Sequence, residues 1–102
     1  MKTLHLNLKR KWYDMILSGE KVEEYRELSK YWFSRFVIAK LYIPDLIRQD
    51  YDTITFSNGY AKDRDQFVIE LIKIGISDGR PEWGAELDKK YFVLFLGKFL
   101  ND

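Results

Sequence analysis

The chain has 102 residues, a length typical of one domain, and 46% hydrophobic and 17% aromatic content, which is enough for a core and excludes disorder. It has no cysteine and one histidine, which excludes disulfides, a thiol nucleophile and a metal site built from cysteine or histidine clusters. The net charge of +1 argues against a strong non-specific nucleic-acid binder. We expect a single domain over residues 1–102 that needs no metal or other cofactor.

Hydropathy and the first residues of the chain bear on its location. No apolar run approaches the roughly 18 residues that a transmembrane helix needs, and the first residues lead into a predicted strand rather than a secretion signal. The sequence therefore predicts a cytoplasmic protein without a membrane partner, and it leaves the oligomeric state open.

The first predicted elements are a strand, a helix and a second strand. Leucines alternate with polar residues over residues 3–8, which predicts a strand. Residues 9–18 are predicted as a helix, because apolar side chains recur at near one-turn spacing. These are Trp12, Tyr13, Ile16 and Leu17. Gly19 follows, where a helix C-terminus favours a residue that can take a positive φ. Residues 22–28 then alternate with period two, as in a strand.

The second strand directs charges toward the core. Val22, Glu24, Arg26 and Leu28 share one face, so the carboxylate and the guanidinium point the way that the apolar residues point. Buried charges are costly unless they are paired. One interpretation is a structural ion pair that closes one end of a barrel. The other is a polar cluster at the floor of a ligand cleft, with Lys21 entering at its edge from the adjoining turn.

The remaining elements are a short helix and several strands. Ser29 is a suitable N-cap for a helix that carries four aromatic residues. These are Tyr31, Trp32, Phe33 and Phe36. Further strands are predicted at residues 37–43, 52–57, 66–76 and 91–100, with a turn at Asn58-Gly59. The elements predict an α+β fold, a small mixed β-barrel of five or six strands with two or three short helices at its rim.

One carboxylate interrupts the aliphatic strand predicted at residues 66–76. Strict alternation places Glu70 on one face with Val68, Ile72, Ile74 and Ile76, so we expect it to be at least half buried. Burial raises the pKa of a carboxylate unless a cation offsets it, and a general acid or base is made in this way. A structural bridge to Lys21 or Arg26 is the alternative, and both interpretations place Glu70 beside these residues.

The order of these pieces resembles the ASCH domain, a small barrel of the PUA-like superfamily. A short helix, Ser18-Gly19-Glu20-Lys21, and then Glu24 and Arg26 separated by one residue are similar to the signature of that family. The turn at residues 56–60, the long strand from residue 67, the loop at residues 82–84 and a closing strand follow in the same order. The resemblance covers nearly the whole chain and implies a PUA-like barrel.

The resemblance also implies a possible activity. Some small bacterial ASCH proteins are amidohydrolases that remove the acetyl group of N4-acetylcytidine, using the motif lysine, a threonine three residues later and a glutamate on a central strand. Lys21 and Glu70 match the first and the last, but Glu24 stands at the threonine position. A carboxylate is a poor substitute for an attacking hydroxyl. A catalytic set of Lys21, Glu24 and Glu70 could still activate a water molecule.

The preferred interpretation is a cleft that binds RNA, a nucleoside or a nucleotide. Lys21 and Arg26 would meet a phosphate or a base carbonyl, while Glu24 and Glu70 would accept hydrogen bonds from an exocyclic amine or a ribose hydroxyl. Two aromatic residues are candidates for stacking on the base, Trp83 and Tyr60. For Trp83 the alternative is a loop tryptophan folded down to cap the end of the barrel, and Tyr60 has a similar structural alternative.

Two surface features remain open. Residues 1–40 contain nine Lys and Arg against five Asp and Glu, and this half includes Lys9-Arg10-Lys11 at the start of the first helix. Such residues are either the solvated side of a helix or a modest phosphate-binding face. Exposed aromatic residues at Tyr31-Trp32-Phe33 would instead suggest a protein-binding accessory module, which is the third interpretation of function.

Overall fold

The computed structural model describes residues 2–37, 51–60, 62 and 64–100. These residues form an α+β fold of five strands and two helices. The elements are β1 (Thr3–Leu8), α1 (Arg10–Leu17), β2 (Glu23–Glu27), α2 (Lys30–Phe36), β3 (Thr53–Asn58), β4 (Gln66–Asp78) and β5 (Lys90–Phe99). A single 3₁₀ turn, Pro81–Trp83, precedes β5. Neither helix in these ranges has the length and apolar character needed to cross a membrane.

The strands form one sheet in the order β1-β3-β4-β5-β2. β1 and β3 are parallel, and the other neighbouring pairs are antiparallel. β1 and β2 are therefore the edge strands, far apart in sheet order. Arg26 Nη2 on β2 nevertheless donates a hydrogen bond to the carbonyl oxygen of Asn7 on β1, at 3.2 Å. The sheet is thus curved into a half-barrel, and Arg26 links its two edges.

The core lies on the inner face of this curved sheet, where both helices contribute aromatic side chains. The Tyr13 ring of α1 lies 4.9 Å from the Phe67 ring of β4, and the Phe36 ring of α2 lies 5.2 Å from the Phe92 ring of β5. Other fully buried residues include Leu4, Ile16, Ile54, Phe56 and Leu94. Burial of this apolar surface is the main stabilising contribution to the fold.

The helix ends follow the local signals in the sequence. The helix predicted at residues 9–18 is confirmed as Arg10–Leu17, and Gly19 follows it with φ +87°. α2 is also confirmed, since the Ser29 hydroxyl accepts a hydrogen bond from the Trp32 amide at 3.3 Å. Short-range hydrogen bonding fixes these boundaries, so they are readable without tertiary information.

The strands predicted at residues 52–57, 66–76 and 91–100 are confirmed with small shifts of their ends. The strand predicted at residues 37–43 falls almost entirely outside the described residues. β2 is shorter than predicted, and Val22, which was expected to point inward, precedes it and is about half exposed. Glu24 points inward as expected, since it pairs with the buried Leu94.

An irregularity divides β4 into two halves that bury different residues. Ile69 and Leu71 point to the core, but beyond a bulge between Leu71 and Lys73 the inward residue is Ile74. One extra residue in a strand reverses which side chains face inward. Strict alternation therefore predicted the wrong face for Glu70, which lies in the first half and is exposed.

Candidate functional site

A cleft of about 350 Å³ opens where β1, α1 and β2 meet. It is lined by Asn7, Leu8, Lys9, Trp12, Glu24, Arg26 and Tyr60. The turn after β3 reaches this region because the Gly59 amide donates to the Leu8 carbonyl at 3.0 Å. Gly59 has φ +77°, a conformation that favours glycine. The cleft thus draws on four separate parts of the chain.

Glu24 forms part of the cleft floor, and both of its carboxylate oxygens are paired. Oε1 accepts from Lys21 Nζ at 2.5 Å, and Oε2 lies 2.9 Å from Arg26 Nη2. Only 9% of the Glu24 side chain is exposed. Two cations thus compensate the charge of this buried carboxylate, as such burial requires.

Lys21 lies behind Glu24 rather than at the edge of the cleft, so its expected position was wrong. The side chain is fully buried, and Nζ donates a second hydrogen bond to the Glu23 carbonyl at 2.6 Å. Two aromatic rings lie near Nζ. Their centroids are 5.8 Å away for Trp12 and 5.4 Å away for Tyr25. Burial lowers the pKa of Lys21, and the attraction of Glu24 opposes that shift. Lys21 therefore supports Glu24 without reaching the cleft surface.

Arg26 is the cation that the cleft floor presents. Its Nη2 is shared between Glu24 and the Asn7 carbonyl, and the Trp32 ring lies 5.4 Å from its guanidinium carbon. Its Nε is buried and has no hydrogen-bond partner among the described residues. One fifth of the Arg26 side chain is exposed. A ligand acceptor near this guanidinium would complete its hydrogen bonding.

Two aromatic residues border the cleft, one on α1 and one in the turn after β3. Tyr60, a predicted stacking residue, lines the cleft and is 84% exposed. Trp12 also lines it, although the sequence suggested only a core role in the apolar stripe of α1. Trp12 packs closely on Gly84, where an added Cβ would lie 2.9 Å from the indole ring. Its position in the first turn of the helix, beside three basic residues, was the available signal.

Trp83, a predicted stacking residue, is buried and is not among the residues that line the cleft. Only 9% of Trp83 is exposed, and the Arg80 guanidinium carbon lies 4.8 Å from its ring centroid. It belongs to the 3₁₀ turn that leads to Gly84 and so to Trp12. The alternative interpretation, a loop tryptophan folded down against the barrel, describes its position.

Glu70 lies on the outer face of the sheet, so its predicted place beside Lys21 and Arg26 is wrong. Its Oε1 accepts a hydrogen bond from the Lys98 amide at 3.2 Å. The neighbouring Gly97 permits this, since a Cβ there would overlap the same oxygen. Glu70 is exposed and satisfies a β5 amide where the register between β4 and β5 shifts.

The proposed catalytic set is consequently not assembled in this structure. Lys21 and Glu24 are in contact, while Glu70 is on the opposite face of the sheet.

The aromatic segment of α2 is mostly packed against other residues. Trp32 stacks on Phe36 and Phe33 contacts Phe92, whereas Tyr31 is exposed.

No group of three or more His, Cys, Asp or Glu side chains suited to a metal ion occurs within the described ranges.

Comparisons with protein-family models, with curated proteins and with solved structures find no significant match to this chain. The geometry of the cleft and the residues of the motif are therefore the basis for assigning a function.

Proposed function

We propose that this protein binds a nucleoside or nucleotide, free or within RNA, in the cleft beside Glu24 and Arg26. The observation that carries the proposal is the meeting of two aromatic rings, Trp12 and Tyr60, with this ion pair in one cleft. Ligand pockets in proteins measure about 300–1,000 Å³. At about 350 Å³, the cleft suits a single nucleotide unit.

The side chains provide the two interactions on which recognition of an unpaired base depends. Aromatic rings stack on the face of any base, and Tyr60 is exposed enough to do so without unfolding its turn. The edge of a base offers donors and acceptors. Arg26 would donate to a ring nitrogen or carbonyl, while Glu24 retains lone pairs that accept from an exocyclic amine.

The motif supports the same proposal. The helix, Gly19, Lys21 and the pair Glu24 and Arg26 resemble the ASCH signature. Within this segment Trp12, Glu24 and Arg26 line the cleft. We therefore propose a PUA-like relationship for the half-barrel and a cytoplasmic nucleic-acid or nucleotide ligand. The fully buried Lys21 serves in this account to hold the Glu24 carboxylate in place.

The amidohydrolase alternative is less well supported by the geometry. Proton transfer requires the catalytic groups to lie within hydrogen-bond reach of the substrate. Lys21 has no exposed side-chain surface, and Glu70 faces away from the cleft. Glu24, at the position of the family threonine, is held by two cations and has no nucleophilic hydroxyl.

The proposal is tested by titrating the protein with nucleosides, nucleoside monophosphates and short single-stranded RNAs, measured by calorimetry. We expect at least one of these ligands to bind. Tyr60→Ser should lower the affinity for that ligand about tenfold, because the variant loses about 1–3 kcal/mol of base stacking. Tyr60 is exposed, so its replacement leaves the core intact.

Tyr31→Ser is the matched control, because Tyr31 is also an exposed tyrosine but lies on α2 outside the cleft. It should bind like the wild type. Absence of binding to every nucleoside, nucleotide and RNA would contradict the proposal. Deacetylation of N4-acetylcytidine that Lys21→Met abolishes would instead support the hydrolase.

A further inference from the structure

The charges around the cleft are unequal, and this inequality restricts the class of ligand. Lys9 and Arg26 line the cleft and Lys21 lies behind it, whereas Glu24 is the acidic residue in the lining among the residues that the structure describes. Both oxygens of Glu24 are already paired with Lys21 and Arg26. The cleft therefore has a positive excess that its own carboxylate does not neutralise, and a low-dielectric wall strengthens such a field.

Among these positively charged residues, Lys9 is the one that is exposed to solvent. It is exposed, and it forms no ion pair within the described part of the chain. Its two basic neighbours have other contacts: Arg10 pairs with Asp14 at 3.2 Å, and Lys11 Nζ lies 4.7 Å from the Trp12 ring centroid. Lys9 is thus the basic residue of α1 that is available to a ligand in the cleft.

The start of α1 adds to the same positive field. Lys9 occupies the N-cap position, where it has no side-chain oxygen to accept from the first-turn amides, and the first turn contains no acidic residue. The first amides of a helix lack intrahelical acceptors and carry partial positive charge. The partial charge and the Lys9 ammonium therefore add to each other at the start of α1, and Lys9 lines the same cleft as Glu24 and Arg26.

We propose that the ligand is a phosphorylated nucleoside, whose phosphate contacts Lys9 at the start of α1 while its base lies against Arg26 and Glu24. This assignment rests on the proposed function and specifies its ligand class. The same phosphate chemistry is supplied by a free mononucleotide or by a nucleotide within single-stranded RNA. In both cases an uncharged nucleoside should bind more weakly than its phosphorylated form.

The test compares a nucleoside, its 5′-monophosphate and a trinucleotide containing it, at low salt, on three proteins: wild type, Lys9→Ala and Lys30→Ala. On the wild type, we expect the monophosphate to bind about tenfold more tightly than the nucleoside, because a charge-assisted hydrogen bond to an exposed phosphate is of this size. Lys9→Ala should reduce this ratio to about two. Lys30 is exposed, begins α2 and does not line the cleft, so Lys30→Ala should retain the tenfold ratio.

The outcomes separate this inference from the function on which it rests. Equal affinity for the nucleoside and the monophosphate, or a ratio that Lys9→Ala does not change, would overturn the phosphate site while nucleoside binding still supported the function. Failure of all three ligands to bind would overturn both. Tighter binding of the trinucleotide than of the monophosphate, with the same dependence on Lys9, would support the site and identify RNA as the source of the phosphate.

Discussion

Two glutamates on neighbouring parts of the same sheet occupy opposite environments. Glu24 on β2 lies on the inner face, is nearly buried and is paired with two cations. Glu70 on β4 lies on the outer face, is exposed and accepts one bond from a backbone amide. From the period-two pattern of the two strands, both side chains were predicted to point inward. The comparison shows that a strand pattern determines a side chain's face only as far as the strand stays regular.

The difference also separates a residue of the proposed binding cleft from one that lies outside it. The pairing of Glu24 places it at a cleft with aromatic walls, whereas the bond of Glu70 stabilises an irregular stretch of β5. A charge in the interior must be held by partners, and those partners fix its position for a ligand. The contrast between the two sites is open to three stability measurements.

The largest effect should come from breaking the buried pair at Glu24. Lys21→Met should lower the free energy of unfolding by about 3 kcal/mol, because the buried carboxylate loses one of its two partners. The sequence pattern placed Lys21 in a turn at the edge of the cleft, and not in a buried pair. Urea denaturation followed by tryptophan fluorescence measures the change.

Lys90→Met is the control for removing a lysine from an ion pair. Lys90 Nζ pairs with Asp78 at 3.0 Å, but both side chains are mostly exposed, so solvent screens the interaction. This variant should unfold at nearly the wild-type urea concentration. A Lys21→Met loss as small as that of Lys90→Met would contradict the buried-pair description.

The next effect is the contribution of Lys21 to the pH dependence of the free energy of unfolding. Its pKa is lowered by burial in the folded protein, so over the window just below the ordinary lysine pKa the unfolded chain binds more protons than the folded one. Wild-type stability should rise with pH through that window relative to Lys21→Met, by at most about 1.4 kcal/mol per pH unit. Urea melts of both proteins between about pH 8 and pH 10 supply the difference. A falling difference would mean that Glu24 outweighs burial.

The smallest effect should follow from removing Glu70. Glu70→Ala should lower the free energy of unfolding by only about 0.5 kcal/mol, because water can replace the acceptor of an exposed amide. Glu70→Gln keeps an acceptor oxygen and should match the wild type. Both variants should bind nucleotides as the wild type does. A loss of binding in Glu70→Gln would contradict the placement of Glu70 outside the cleft.

Much of the fold followed from local signals. The helix boundaries around Gly19 and Ser29 depend on hydrogen bonds within a few residues, and the inward direction of Glu24 follows from regular alternation on a short strand. Arg26 was recognised as a cleft residue for the same reason. Such features are decided by backbone geometry close in sequence, so a pattern reveals them.

The composition of the cleft required the tertiary structure. Trp12 and Lys9 line the cleft because α1 packs against β1 and β3. Trp83 lies outside it, in the turn that packs against Trp12 through Gly84. Lys21 is buried by contacts with residues on either side of its turn, which no spacing rule anticipates. The register shifts between β4 and β5 moved Glu70 to the outer face. The sequence by itself determined the elements and the Glu24–Arg26 pair, and only packing between distant elements decided which other side chains meet them.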